Sequence, residues 1–445
     1  MSEPIRILTI EVGSTITKVN GFARSVDGRL LHKAQGFAPT SVAQGDVMYG
    51  VNLALDQIRI GSTSLDAQTE VFINSSAAGG LRMTVHGLTY NMTARAAREA
   101  ALGAGGLIKK VTAGLLDEYE LADIREIHPN IILLAGGVDY GEKETVLENA
   151  RRLASLNLKV PVVYAGNVSL QRPISEIFRE HDLELLLATN VFPEVDSLNI
   201  EPLRKIIHDV FNRHIIYAPG MGRLKELTPH AILPTPGAVL LGSEMFAEAL
   251  GDCLVFDVGG ATTDVHSITN GSPEWAPKLL EPEPRSKRTV EGDLGVFINA
   301  KNIVESVQDW ESEDALIHLR AIPQTEKELE LTHWLCTKAI EISARRHAAV
   351  VQDLFTPTGR KQVVKGKDLT AVKRVIGTGG ALTRITGGEA ILAHICIGAG
   401  KHLLPQPGTP ITLDKDYRFS ALGTLAQCYP EEVKATFVDW IESET

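Results

Sequence analysis

The run Asp257-Val-Gly-Gly-Ala-Thr-Thr-Asp264 follows the apolar stretch Cys253-Leu-Val-Phe256, and it decides the reading of this 445-residue chain. A second phrase of the same design, Glu11-Val-Gly-Ser-Thr-Ile-Thr-Lys18, follows the apolar run 5–10. Each sets an acid at the end of a short strand, a glycine two residues later and hydroxyl side chains beyond it. One such turn is explained by a β-hairpin whose Asp and Thr side chains cap the local backbone. Two of them, far apart in the chain, imply two related half-domains closing on one charged ligand.

A glycine at the tip of a strand–turn–strand lets backbone N–H groups reach phosphate oxygens with no Cβ in the way. Gly13 and the pair Gly259-Gly260 suit that role, and the hydroxyls of Ser14, Thr15, Thr262 and Thr263 add donors. Lys18 brings a point charge towards the β-phosphate side. Bare carboxylates cannot face phosphate, but Glu11, Asp257 and Asp264 can hold Mg²⁺ through its waters, and one of them can polarise an attacking water. These three acids are the catalytic and metal-binding candidates. A third turn, Gly377-Thr-Gly-Gly380, follows the expected strand 373–376 and precedes the helix-compatible Ala381-Leu-Thr-Arg384. Gly379 and Gly380 would let the backbone approach an adenosine or its α-phosphate. ATP or ADP with Mg²⁺ is therefore the expected ligand.

The remaining sequence fits this frame. The short apolar run 5–10, with 18–23 and 30–36 as further strands about the Asp27-Gly28 turn, reads as a β-meander, the spacing of Val47, Val51, Leu55 and Ile58 predicts a helix, and 70–74 reads as another strand. Continuous apolar runs at 131–134, 160–165 and 185–188 alternate with helical patterns, which implies a parallel sheet covered on both faces. We place the first part of one half at 1–90, an inserted α/β module with the return to that half at 91–232, and the second half at 233–445. A helical region is expected over 326–355 and a C-terminal helix from Glu431. Three stretches stay open. The small-residue segment 74–83 reads as a loop packed between domains or against ligand. Lys287-Arg-Thr-Val-Glu-Gly-Asp-Leu-Gly295 reads as a solvated loop or as a contact to nucleotide or partner. The run 133–141 reads equally as a phosphate loop or a glycine-rich βα turn.

Bulk properties exclude other classes. A net charge of −11 argues against nucleic-acid binding, which demands a basic surface. Cys253, Cys336, Cys396 and Cys428 are isolated, with no C-x-x-C pair to build a zinc or iron–sulfur site, and fit reduced thiols of a cytoplasmic protein. No apolar stretch approaches the roughly 18–20 residues of a membrane span, and the N-terminus carries no signal peptide. P-loop, nucleophile-elbow and H-E-x-x-H motifs are absent.

Together the phrases resemble the actin/Hsp70/sugar-kinase superfamily, an α/β fold of two ribonuclease-H-like halves around a nucleotide cleft. More narrowly they resemble the MutL (GlmL) family, accessory proteins of coenzyme-B12-dependent glutamate mutase and related aminomutases and unrelated to mismatch-repair MutL. That likeness rests on 11–18, 75–83, 133–141, 164–167, 257–267, 288–295 and 377–381. It implies an ATPase that acts as a reactivating chaperone, expelling damaged cobalamin from the mutase, with the mutase subunits as partners and self-association left open. By position it assigns Glu11 and Asp257 as metal-organising acids, Gly13, Ser14 and Lys18 to the first phosphate loop, and Gly259, Gly260, Thr262 and Asp264 to the second. Gly379 and Gly380 match the adenosine loop. The superfamily's usual first Asp is here Glu11. Rival readings are a small-molecule kinase, a nucleotide-gated filament protein and an activator of radical dehydratases, the last disfavoured by the isolated cysteines.

Overall fold

The computed structural model describes residues 4–61, 65–76, 81–215, 220–307, 316–357, 359–397 and 400–444. The chain folds as two compact units, one formed by Met1–Ala77 with Arg223–Thr445 and the other by Ala78–Gly222.

The first unit contains the same sheet twice. In one copy β1 (Ile5–Val12), β2 (Ile16–Arg24) and β3 (Leu30–Pro39) form the antiparallel meander, and β4 (Leu65–Ser75) lies parallel to β1 after a crossover through the helix Met48–Gly61. The two-residue β10 (Leu233–Pro234) completes the order β3-β2-β1-β4-β10. In the other copy β11 (Cys253–Val258), β12 (Thr263–Ile268) and β13 (Ser286–Glu291) are antiparallel, and β16 (Arg374–Thr378) and β17 (Ile411–Leu413) extend the sheet in parallel, giving β13-β12-β11-β16-β17. Strand for strand the two orders are identical, which makes this unit the actin-like fold of two ribonuclease-H-like halves. The central strands β1 and β11 are buried on both faces, so they read as apolar runs rather than alternating ones. Helices Thr235–Leu250 and Arg418–Leu425 pack so tightly that a Cβ on Gly423 would overlap the Ala238 carbonyl. Phe246, Phe419 and Phe437 fill the core beside them with ring centroids 5.3–6.3 Å apart.

The inserted unit is a five-stranded parallel sheet of β5 (Arg82–Gly87), β6 (Leu107–Ala113), β7 (Ile131–Leu134), β8 (Val162–Tyr164) and β9 (Leu185–Leu187) in the order β6-β5-β7-β8-β9. This is a doubly wound sheet of the 2-1-3-4-5 type. Its glycine-rich turn after β7 is occupied by its own packing. A Cβ on Gly136 would lie 2.5 Å from Val146 Cγ2, and one on Gly166 would lie 2.7 Å from the Gly136 nitrogen. Buried Asn167 accepts the Tyr140 N–H at 2.9 Å, and Asn190 donates to the Gly137 carbonyl at 3.0 Å. Of the two readings open for 133–141, the βα turn is the one this geometry favours.

Two expectations need correction. The helix expected over 326–355 ends at His347, and 350–356 is a strand, β14 (Val350–Thr356), paired with β15 (Gly359–Lys365). Three basic residues close the helix, Ala348 turns extended, and the β-branched Val350 and Val351 then favour a strand. The stretch from Lys287 is no solvated loop: it begins as the edge strand β13, with Lys287, Arg288 and Glu291 at 9%, 3% and 9% exposure. In the segment 74–83, residues 77–80 lie outside the described residues; Asn74 and Ser75 close β4, and Arg82 opens β5. All four cysteines are free, three of them buried. Among the described residues no helix is long and apolar enough to cross a membrane.

Candidate functional site

The two sequence phrases fold into the same turn. Glu11 stands opposite Lys18 and Val12 opposite Thr17 in β1–β2, as Asp257 stands opposite Asp264 and Val258 opposite Thr263 in β11–β12. The Gly13 N–H donates to the Ile16 carbonyl at 3.1 Å, and the Gly259 N–H donates to the Thr262 carbonyl at 2.9 Å. A Cβ on Gly13 would come within 2.6 Å of that Ile16 oxygen, so the tight turn excludes any larger residue. The turns face each other: a Cβ on Gly260 would lie 3.9 Å from Thr15 Oγ1. The third turn closes on the second. Gly379 has φ +91, and a Cβ there would lie 2.7 Å from the Val258 nitrogen and 2.8 Å from Asp257 Oδ1.

Between these turns lies a cavity of about 500 Å³. Glu11, Gly13, Ser14, Thr15, Lys18, Asp257, Gly259, Gly260, Thr262, Asp264, Gly379 and Gly380 all line it. Thr263 does not. Its fully buried hydroxyl donates to the Leu294 carbonyl at 2.8 Å, because strand alternation turns it away from the face that carries Thr262 and Asp264. The sequence expectation for Thr263 is corrected accordingly. The N–H groups of Ser14, Gly260 and Ala261 have no acceptor among the described residues and are available to an anion.

The three acids have different surroundings. Glu11 is held from both sides, by Lys18 Nζ at 2.7 Å and by the hydroxyl of Ser420. Burial alone would depress Lys18, but Glu11 and then Asp257 outweigh it and hold its pKa above the ordinary lysine value. Asp264 accepts from Arg288 Nε at 2.8 Å and Nη2 at 2.6 Å and from Thr262 Oγ1 at 3.1 Å. Asp257 has no hydrogen-bond donor among the described residues. Burial, together with the negative charge of Asp264 across the strand pair, raises its carboxyl to about 7. The site therefore holds two acids fixed by cationic partners and one, Asp257, without such a partner.

The family model of the MutL protein matches residues 7–441. "Protein MutL" of Clostridium tetanomorphum is 35% identical over an alignment covering 96% of both chains. The chain belongs to the MutL family. Solved structures offer more distant likenesses to this MutL-family chain. A glycerol dehydratase reactivase is 10% identical with a TM-score of 0.35, covering 95% of this chain and 99% of that one. Nucleotide-free acetone carboxylase is 13% identical with a TM-score of 0.35, and this chain spans 62% of its length.

Several residues of the candidate site are not legible in the sequence. Ser420 reaches Glu11 from the start of the helix Arg418–Leu425. Tyr417 lies under Lys18, with Nζ 4.6 Å from the ring centroid, and its hydroxyl accepts from Arg384 Nε at 2.9 Å. Its left-handed φ of +51 is fixed by buried Asp414, which accepts the N–H groups of Arg418 and Phe419 at 2.7 and 2.9 Å. Arg288 was visible as part of a charged stretch, but only the register His266↔Arg288 brings it to Asp264. Removing it would strand a buried carboxylate, which costs about 3–5 kcal/mol. Arg288→Met is thus expected to lower the melting temperature sharply, and Arg288→Met with Asp264→Asn to recover much of the loss. A double variant no more stable than the single one would show that the pair is not coupled.

A divalent cation fits this chemistry. Three carboxylates on one cavity would repel phosphate, and Lys18 and Arg288 are already engaged by two of them. Among the described residues no group of three or more His, Cys, Asp and Glu could hold a metal ion directly. An ion here would be held by one carboxylate, waters and phosphate oxygens, the mode magnesium favours.

Proposed function

We propose that this chain binds Mg-ATP between its two acidic turns, hydrolyses it, and uses the resulting opening and closing of its halves to release damaged cobalamin from a coenzyme-B12-dependent aminomutase of the glutamate mutase type. The observation that carries the ATPase reading is the duplicated turn, with identical register and glycine hydrogen bond, placed on either side of one cavity. The mutase as client is carried by membership of the MutL family. The free N–H groups of Ser14, Gly260 and Ala261 donate to phosphate oxygens, and Lys18 adds positive charge from the opposite strand. A bound Mg²⁺ would be held by a carboxylate of this cavity and would supply charge neutralisation to the phosphates. Glu11 and Asp264, held in place by Lys18 and Arg288, accept hydrogen bonds from waters in the cavity. Asp257, alone among the three without a partner, takes the proton of the attacking water. Positioning and electrostatics supply the rest of the rate, as in phosphoryl transfer generally.

Glutamate mutase inactivated on its cobalamin is the direct test. With this chain and Mg-ATP, free adenosylcobalamin is expected to restore activity, and with a non-hydrolysable ATP analogue it is not. Recovery that is independent of nucleotide, or no recovery with a mutase from the same organism, would overturn the proposal.

A further inference from the structure

The hairpin β14–β15 is only half supported by its own chain. At its base the Val351 N–H donates to the Lys401 carbonyl at 2.8 Å, and the Leu280 N–H donates to the Val364 carbonyl at 2.9 Å. Val351 and Val364 pack there with Trp275, Leu279 and Leu403. The register pairs Val351 with Val364, Asp353 with Gln362 and Phe355 with Arg360, so these three pairs share one face. The supported face therefore continues outward to Phe355, which is 80% exposed, while Leu354 on the other face is 48% exposed. Among the described residues no other strand pairs with 353–356 or 359–362. An isolated two-stranded ribbon is marginal in water, and its open edges and bare Phe call for a covering surface.

Charge indicates what covers it. Strand β15 carries Arg360, Lys361 and Lys365, all exposed, against a single acid of the hairpin, Asp353, which already pairs with Arg360 at 2.7 Å. Lys361 and Lys365 have no carboxylate partner among the described residues. On a chain of net charge −11 this is a local basic edge, complementary to an acidic protein surface. The covalent path is equally informative. The helix Glu326–His347 leads into β14, and its first turns supply Leu329 and Thr332 to the cavity. At 1.5 Å per residue that helix carries about 27 Å of rigid backbone from Leu329 at the cavity to His347 near the hairpin base.

We propose that the β14–β15 hairpin is the arm that grips the client enzyme, with Phe355 entering an apolar pocket and Arg360, Lys361 and Lys365 meeting carboxylates on its rim. This rests on the nucleotide-driven reading above, and the helix Glu326–His347 is the element that carries nucleotide state to the arm.

The test uses the full chain and immobilised, purified glutamate mutase holoenzyme, with Mg²⁺ and a non-hydrolysable ATP analogue. Phe355→Ser is expected to weaken capture at least tenfold, and Lys361→Glu to weaken it by a smaller factor that shrinks at high salt. Basal ATP hydrolysis of both variants should stay within about twofold of wild type, since neither residue lines the cavity. Undiminished capture by Phe355→Ser, or no capture by wild type, overturns the docking proposal. So does a change in the chain's own sedimentation on Phe355→Ser, which would make a second copy the occupant. Binding of anionic phospholipid vesicles that is lost in Phe355→Ser would overturn it in favour of a membrane. Failure of the wild type to hydrolyse ATP would instead strike at the ATPase reading, and capture by the hairpin would then be judged on its own.

Discussion

Asp257→Asn is expected to reduce ATP hydrolysis by at least about 100-fold, the scale of a lost general base, without reducing stability. The carboxyl sits in a half-buried position beside Asp264 with no donor among the described residues, and its pKa is raised to about 7. A carboxyl whose folded pKa exceeds its unfolded one favours the fold while protonated, and that contribution is lost as pH rises through the folded value. The melting temperature of Asp257→Asn relative to wild type should therefore climb from the ordinary carboxylate range up to about pH 7 and level off beyond it. Measurements without nucleotide or divalent cation, at pH 5 and pH 8, check the sign. A variant that is less stable than wild type at pH 8 would mean that Asp257 is a structural anchor. Stabilisation by removal of an active-site charge is the expected pattern where function holds a group at a cost to the fold.

The second large effect is at Gly379. Its φ of +91 is one that L side chains rarely adopt, and an added Cβ would meet the Val258 nitrogen and Asp257 Oδ1. Gly379→Val would push the third turn away from β11 and displace the carboxyl of Asp257. We expect nucleotide affinity to fall at least about 100-fold, since misplacement by roughly 1 Å in a preorganised site has consequences of that order. Gly380→Ala is the matched control. A Cβ there has only the Tyr417 hydroxyl nearby, at 3.5 Å, and the change should be mild. Equal losses in the two variants would remove the distinction drawn between them.

What the sequence revealed and what it concealed have a common physical basis. The acidic turns are legible because their chemistry is local: acid, glycine and hydroxyls lie within eight residues directly after an apolar strand, and the duplication stands out. The strands β7, β8 and β9 were legible as apolar runs. By contrast β5 and β6 went unread. Thr84 and His86 occupy core positions in β5, and they are tolerated because the His86 ring bonds Thr84 and Thr112 at 3.0 and 2.8 Å. The edge strand β6 is only half buried, so its pattern is weak. Ser420 and Tyr417 lie about 400 residues from the Glu11 and Lys18 they serve, and only tertiary folding shows that pairing. Thr263 faces away from the cavity, and composition within the turn does not reveal which face of β12 each residue occupies.

The central claim is that the two turns form one clamp for Mg-nucleotide. Calorimetric titration of the full chain with ADP, with and without Mg²⁺, tests it most directly when run in parallel on Gly379→Val. The account expects one site per chain, tighter binding with Mg²⁺ than without, and no detectable binding by the variant at concentrations that saturate wild type. Binding that ignores both Mg²⁺ and Gly379→Val, or no binding of ADP by the wild-type chain, would contradict it.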